Sequence, residues 1–538
     1  MSFLGDRRGA LIAAASGLVF AASTPPIDFQ PGILIGLAGY AFALFDLGDT
    51  NRSVRAGARR GFSFGLAANL LALRFVPEVI VRFTPLPAIA GWLALVLLSA
   101  AQALPWAIGG ALATWLARPA PGARRPPSPS FLAFAAGVYA ATFVPALFPW
   151  TPAGGLTRWP VLLQTAELVG ERGASFLVAI ACAMVADGAA RAAGLADAVS
   201  PARAPSLRAA ARPSAIAGAV LLVLVAYGAA RMRAIDERRA QAPHARVALL
   251  EPDFDAMFRW EEGRASMMLE RLSALTRRAE EAGAVLTVWP ESAYPYTLAH
   301  GVKRSPPGAR AILQPGVRGP VLTGAYLTKG GGLGTNSAIL VAPNGDIGPS
   351  YDKRHLLWFG ETVPLADTFP VLRRVFARGT GIAPGTESVA FRAGPIVATV
   401  LNCYEDTLPQ AGREAMAERP NLLVNVTNDA WFAGSAEGEL HLRLAILRSI
   451  EARRDLVRAV NRGPTTWVDA AGRVVSRRDP TPGLGPSPPL LADVALLDGP
   501  LTLYTRVGDG LLASLVVAAL AAPWIRAARR RARGGSTA

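Results

Sequence analysis

The chain is 538 residues long, 51% hydrophobic and only 17% charged, with a mean hydropathy of +0.31. That composition excludes an ordinary soluble enzyme and points to several domains, at least one of them in lipid. The formal net charge of +16 would raise the question of nucleic acid in a soluble protein. Here the arginines sit between apolar segments and form no basic stripe with interleaved aromatics, so no nucleic-acid partner is expected.

In chain order, apolar segments fall near residues 9–25, 31–47, 61–80, 87–116, 130–149, 172–193, 213–231 and 508–526. Most have about the 20 residues a helix needs to cross a bilayer, and eight transmembrane helices are expected. The first reads as a span and not a cleaved signal peptide, because no small-residue cleavage site leads into a soluble domain. Pro105 is placed to kink the long fourth segment. Arg7 and Arg8, NRSVRAGARR (51–60), RPAPGARRPP (118–127), Arg191 to Arg212, and RAARRRAR (526–533) make every second connection basic. Residues 81–86 and 150–163 carry a single arginine each. The positive-inside rule then puts both termini and the basic 527–538 tail in the cytoplasm. After seven spans, residues 232–507 are expected to emerge on the outer face. RMRAIDERR (231–239) argues the other way, but long domains translocate largely regardless of nearby charge.

From about residue 244 the pattern changes to strands alternating with helices. ARVALL (245–250), AVLTVWP (284–290), PVLTGAYL (320–327), NSAILVAP (336–343), IVATVLN (396–402) and NLLVNVT (421–427) read as strands. The last two are continuous apolar runs, typical of strands buried on both faces. ASMMLERLSALTRRAEEAG (265–283) and ELHLRLAILRSIEARRDL (439–456) read as amphipathic helices, and NGD (344–346) and DAAG (469–472) as hairpin turns. The expected fold class is a multi-pass α-helical membrane domain, 1–231 with 508–526, plus a layered α/β domain over 232–507.

Reactive groups in such sheets collect where strands end. Glu291 follows AVLTVWP and Cys403 follows IVATVLN, while Lys353 lies in the irregular SYDKRHLLWFGETVP (350–364). Singly, Glu291 reads as a surface carboxylate, Cys403 as a small buried hydrophobe and Lys353 as a solvated charge. Together they form a chemistry. A thiol needs a base to take its proton, a carboxylate in a dry cleft can serve, and an ammonium stabilises first thiolate and then oxyanion. Of 55 basic residues only Lys303, Lys329 and Lys353 are lysines, so a retained lysine marks a place where a bulky guanidinium will not do. Cys403 also has no pairing partner, since Cys182, the other cysteine, lies inside the sixth span. His355 and His441 are possible minor participants. Histidines, cysteines and carboxylates look too scattered for a metal site.

WPES (289–292), DKRHLLWFGETVP (352–364) and LNCYED (401–406) resemble the Glu–Lys–Cys motifs of the nitrilase superfamily. More closely they resemble its membrane-embedded branch, the apolipoprotein N-acyltransferases, as do TNDAWFAGS (427–435), RSIEARRDLVRAVNRG (448–463), LTLYTRVGD (501–509), STPPIDF (23–29) and FPW (148–150). The resemblance covers essentially the whole chain and implies a nitrilase αββα sandwich for the outer domain. It implies Cys403 as nucleophile, Glu291 as general base and Lys353 as the oxyanion-stabilising lysine. Glu361, Tyr404, Glu405, Trp260 and Asn336 match further functional positions. The implied reaction is ping-pong and is the last step of bacterial lipoprotein maturation. Cys403 takes an acyl chain from a phospholipid, typically phosphatidylethanolamine, and the α-amine of an S-diacylglyceryl cysteine on an apolipoprotein then takes it from the thioester. No metal or organic cofactor is implied, and the expected protein is a monomer of the cell inner membrane with a periplasmic catalytic domain.

Five positions depart from the family pattern: Glu251 in LEPDFD (250–255), Trp358, Ala433, Leu440 before His441, and Arg462 in VNRGPTT (460–466). LLWF (356–359) reads equally as a membrane-dipping lid or as ordinary loop packing. Two alternatives keep the same residues: a membrane-tethered nitrilase-type amidase, and a divergent lipid- or lipoprotein-binding paralogue without transfer activity.

Overall fold

A computed structural model describes residues 2–45, 53–84, 86–118, 129–195, 205–256, 263–330, 333–366, 368–372, 381–480 and 485–534. It divides into two compact units, Met1–Ala230 with Val507–Ala538, and Arg231–Arg506.

The first unit is helical. Three of its helices are long and apolar enough to cross a membrane: Ala88–Leu116, Ala166–Ala192 and Leu207–Gln241. Val54–Ala72 and Val76–Phe83, bent by 55° at their junction, make a fourth if taken as one span. The break falls inside the segment expected at 61–80. Pro77 stands in the first turn of the second piece, where it cannot continue the hydrogen-bond ladder of the preceding helix. Pro105 lies within the helix Ala88–Leu116, which runs through it. The segment expected at 130–149 is helical only over Ser130–Ala141, with Pro145 and Pro149 beyond. Ile89, Trp92, Leu97, Leu104 and Trp115 on one long helix are all exposed, as suits a lipid-facing surface.

Several polar groups inside this unit are paired, as an apolar surrounding favours. Gln102 Nε2 donates to Asn69 Oδ1 at 3.0 Å, and Trp150 Nε1 reaches the same oxygen at 3.1 Å. Phe148 N donates to Gln102 Oε1 at 2.7 Å. The FPW stretch is thus tied to two different helices by hydrogen bonds.

The second unit holds thirteen strands among its described residues. In order they are β1 (His244–Leu249), β2 (Leu286–Val288), β3 (Leu298–Ala299), β4 (Val321–Gly330), β5 (Leu333–Val341), β6 (Tyr351–Asp352) and β7 (Phe391–Ala393). Then come β8 (Ile396–Asn402), β9 (Leu422–Asn428), β10 (Asp455–Asn461), β11 (Thr465–Val468), β12 (Val474–Arg478) and β13 (Leu490–Ala495). One sheet runs β13-β1-β2-β4-β5-β6 with β3 beside β4, and the other β12-β11-β10-β9-β8-β7. Both are mixed. β1, β2 and β4 are parallel in the first, β8, β9 and β10 in the second.

The sheets pack face to face. Val247, Leu249, Val288 and Leu322 of the first meet Val400, Val424, Val426 and Val457 of the second in one core. Helix Arg264–Glu281 covers the outer face of the first sheet through Met268, Leu269, Leu272 and Leu275. Helices Pro409–Ala415 and Glu437–Ala452 cover the second through Ala411, Ala415, Leu442, Ala445 and Ile446. The layers are therefore helix, sheet, sheet, helix, which buries each amphipathic element's apolar side.

The helix expected over 439–456 begins at Glu437 and ends at Ala452, where Arg453 takes a left-handed φ of +53°. Strand β10 then begins at Asp455, and all seven of its residues are buried. Its charged residues are paired inside: Asp455 with Arg239, and Arg458 with Asp406.

Candidate active site

Parallel strands carry their C-terminal ends to one edge, and that is where the candidate residues stand. Glu291 follows β2, Lys353 follows β6 directly, and Cys403 follows β8 directly. Glu291 is 8% exposed and Lys353 1%. Cys403 is half-buried and takes a φ of +54°, a left-handed conformation that a non-glycine residue adopts only when its surroundings hold it.

Asn336 on β5 joins the two acids. Its Nδ2 donates to Glu291 Oε1 and to Glu361 Oε1, both at 2.7 Å. Lys353 Nζ lies 2.7 Å from Glu361 Oε2 and 3.4 Å from Glu291 Oε1. Asn428 N, at the end of β9, donates to Glu291 Oε2 at 3.0 Å, and Leu357 N donates to Glu361 Oε2 at 3.0 Å. Burial works against the Lys353 charge, but Glu361 and Glu291 outweigh it and hold its pKa well above the ordinary value. It is a fixed ammonium.

The Cys403 thiol goes the other way. Burial and then the Glu291 carboxylate push its pKa well up, Lys353 draws it down, and Asp429 and Glu361 push it further up. A thiol so placed stays protonated until a base takes its proton. Tyr404 is also pushed up, to about 12, by burial, with the Lys353 charge opposing.

Glu405 is a fully buried tie. Its Oε1 accepts from Arg354 N at 2.8 Å and His355 N at 3.0 Å. Its Oε2 accepts from Tyr351 Oη at 2.7 Å and Asn402 N at 2.8 Å. One carboxylate thereby links the backbone around Lys353 to the backbone just before Cys403. Burial raises its pKa, while these donors and Lys353 pull in the other direction.

Glu291, Lys353, Cys403, Glu361, Asn336, Glu405 and Tyr404 are thus brought together by contacts or by electrostatic coupling. Trp260 lies outside the described residues. The His355 ring pairs with a different acid, its Nε2 2.9 Å from Glu414 Oε2. Of the departures, Glu251 and Arg462 meet: Glu251 Oε1 accepts from Arg462 N at 3.3 Å. Arg462 also reaches Asp253 Oδ1 and Asp255 Oδ2, each at 2.7 Å. The unusual acids of 250–255 and the unusual arginine therefore compensate one another. Trp358 and Phe359 are 45% and 41% exposed.

Several contributors were not legible in the sequence. Asn425 Nδ2 on β9 donates to the carbonyls of Leu401 at 2.9 Å and Cys403 at 3.1 Å, supporting the turn that bears the thiol. The only signal was a polar residue inside an apolar strand. Asp406, which the sequence leaves as an incidental neighbour, is fully buried between His441 and Arg458. The sequence expects too few clustered histidines, cysteines and carboxylates for a metal site, yet one group of these residues does meet. Ligand-type atoms of Asp429, Glu437 and His441, all buried, lie within 4.8 Å of one another. Helix Glu437–Ala452 carries two of them back over the turn that holds Asp429, 12 residues before His441.

Known proteins resemble this chain along most of its length. Residues 16–184 match the family model for the apolipoprotein N-acyltransferase N-terminal domain, and residues 259–484 match that for carbon-nitrogen hydrolase. A relative named apolipoprotein N-acyltransferase from Geobacter metallireducens is 31% identical over 94% of this chain and 92% of its own length. Its namesake from Bradyrhizobium diazoefficiens is 32% identical over 71% of this chain and 70% of its own. Among solved structures, an amidase of the nitrilase superfamily from Nesterenkonia AN1 aligns with a TM-score of 0.36 at 18% identity, over 51% of this chain and 98% of that one.

Proposed function

The chain belongs to the apolipoprotein N-acyltransferase family, and on that premise we propose that Cys403 carries an acyl chain from a phospholipid to the α-amine of an S-diacylglyceryl cysteine. Glu291 takes the Cys403 proton as the sulfur attacks the sn-1 ester carbonyl. The oxyanion that forms is stabilised by the Lys353 ammonium, which Glu361 holds in place at 2.7 Å. Collapse breaks the ester C–O bond, and Glu291 returns the proton to the leaving lysophospholipid. The amine of the lipoprotein then attacks the thioester, loses a proton to Glu291 and displaces the thiolate, leaving an amide. A thioester suits both halves because its thiolate is a good leaving group for an incoming amine.

The observation that carries this reading is Asn336 Nδ2, bonded at 2.7 Å to both Glu291 and Glu361. It keeps one acid beside the thiol as base and the other on the lysine as anchor. A thiol held protonated by its surroundings needs such a base. Glu405 and Tyr404 serve as supports of the nucleophile turn, and Trp260 as a substrate contact. The reaction needs no metal or organic cofactor. Phosphatidylethanolamine is the proposed donor, in a monomer with eight spans. The catalytic unit faces the periplasm from the inner membrane, with both termini cytoplasmic. A reporter fused at residue 300 and active only in the cytoplasm overturns that topology.

The test uses purified full-length protein in detergent with acyl-labelled phospholipid and a diacylglyceryl lipopeptide, alongside Cys403→Ser. Label on the peptide with wild type and none with the variant supports the proposal. Label released only as free fatty acid replaces it with a hydrolase. Equal transfer by both proteins removes Cys403 from the chemistry.

A further inference from the structure

Behind the nucleophile turn lies a set of buried charges that acyl transfer as described above does not use. His441 Nε2 is 2.8 Å from Asp406 Oδ1, and its Nδ1 is 3.3 Å from Asp429 Oδ1. Ionised carboxylate oxygens only accept, so a ring with both nitrogens facing them must carry both protons. Arg458 Nε donates to the other Asp406 oxygen at 3.0 Å. Glu437, one turn before His441 on the same helix, approaches Asp429 and His441. Asp429 Oδ2 and Glu437 Oε2 are buried with no hydrogen-bond partner among the described residues. Each of two close buried carboxylates disfavours the other's charge, and Glu437, pushed up to about 8, is the one that keeps a proton at neutral pH. With Glu437 protonated, the two anions Asp406 and Asp429 are matched by the two cations His441 and Arg458.

Asp429 is the member of this set that acts on Cys403, and it opposes thiolate formation. We propose that His441, as an imidazolium, and Glu437, as a neutral acid, are positioning residues that cancel the charge of Asp429 so that the Cys403 thiol can give up its proton as it attacks the ester. The proposal rests on Cys403 being the nucleophile. The electrostatics agree. Asp406 and the Asp429 hydrogen bond outweigh burial and hold the His441 pKa well up. Burial and Asp429 push Glu437 to about 8, against the cations. Asp406 is brought below its ordinary range because His441 and Arg458 overcome its burial. The groups facing His441 are Asp406, Asp429, Glu437 and Arg458. Those acting on Cys403 are Glu291, Lys353, Glu361 and Asp429. The same three side chains Asp429, Glu437 and His441 have the composition of a metal site, but both imidazole nitrogens already face carboxylates, which favours the proton.

The test measures the rate of Cys403 alkylation by iodoacetamide against pH, on full-length protein in detergent in a Cys182→Ala background. His441→Gln keeps a donor for Asp406 and removes the charge. It should move the alkylation midpoint up by about one pH unit, roughly tenfold slower alkylation at neutral pH, and slow transfer in parallel. Adding Asp429→Asn should restore the midpoint, which no purely structural role of His441 predicts. Asp429→Asn alone should lower it, and this variant keeps the test open if His441→Gln fails to fold. An unchanged midpoint in His441→Gln, or no restoration in the double variant, overturns the inference. So does one equivalent of bound metal in the wild type by elemental analysis. Wild-type protein that transfers no label and whose Cys403 is inert at every pH overturns the acyl-transfer reading itself, a distinct result.

Discussion

Glu405→Gln is the substitution whose cost can be worked out atom by atom. The carboxylate accepts four donors, two on each oxygen. Glutamine offers one oxygen and one NH2. With its oxygen toward Arg354 N and His355 N, both amides keep their acceptor, and Tyr351 can rotate its hydroxyl to accept from the new NH2. Only Asn402 N then faces a donor. The opposite orientation leaves two backbone N–H groups without acceptors, so the first prevails. One buried amide orphaned costs roughly 1–3 kcal/mol, or a fall in Tm of a few to about 10 °C for a unit of this size. Asn402 directly precedes Cys403, so the lost bond loosens the turn that holds the thiol at positive φ, and transfer should drop by at least about tenfold. Thermal unfolding and label transfer, both in detergent, read the two effects. Tyr351→Phe should cost more in the Glu405→Gln background than in wild type, because it removes the acceptor that the amide needs. A Glu405→Gln protein with unchanged Tm and unchanged transfer would refute the reasoning.

Lys353→Arg keeps the charge but not the volume at a site 1% exposed. It should abolish transfer by about 10³-fold or more while circular dichroism stays unchanged, as a displaced point charge no longer meets the oxyanion. Because burial and Glu291 hold the Cys403 thiol well above its ordinary pKa, its alkylation rate in wild type should still be climbing at about pH 9. A plateau below neutrality would contradict a protonated resting thiol. Arg462 and Asp253 form a largely sheltered pair at 2.7 Å, so a double-mutant cycle of Arg462→Ala with Asp253→Asn should give a coupling of about 0.5–1.5 kcal/mol. Additive effects would show that Arg462 and the acidic 250–255 stretch are not energetically coupled through Asp253.

Much of the site is legible in the sequence because it lies where strong local patterns stop. IVATVLN is β8 to the residue, and an apolar run ending in Cys403 needs only strand periodicity to interpret. Glu291 and Lys353 stand out as polar residues following β-type segments, and three lysines among so many arginines single out the second of them again. The hidden part depends on pairing across the chain. Asp455 falls within the amphipathic pattern read as a helix over 439–456, and Arg458 lies just beyond it. Their partners, Arg239 and Asp406, lie 216 and 52 residues away, and no local pattern reveals that. The same holds for Asp429 and His441, whose meeting depends on how helix Glu437–Ala452 lies on the sheet. The membrane segments show a related limit. Hydropathy locates the apolar stretches, but the 55° bend within 54–83 follows from where Pro77 falls relative to a helix start.

The central claim is a covalent acyl-enzyme, and intact mass spectrometry tests it most directly. Wild-type protein would be incubated with phospholipid in detergent with no lipopeptide acceptor, then digested and mapped. The account predicts a mass increase of one acyl chain on the peptide containing Cys403. The adduct should be released by neutral hydroxylamine, disappear on addition of the diacylglyceryl lipopeptide, and be absent in Cys403→Ala. Transfer to the lipopeptide with no adduct ever found on Cys403 would contradict it.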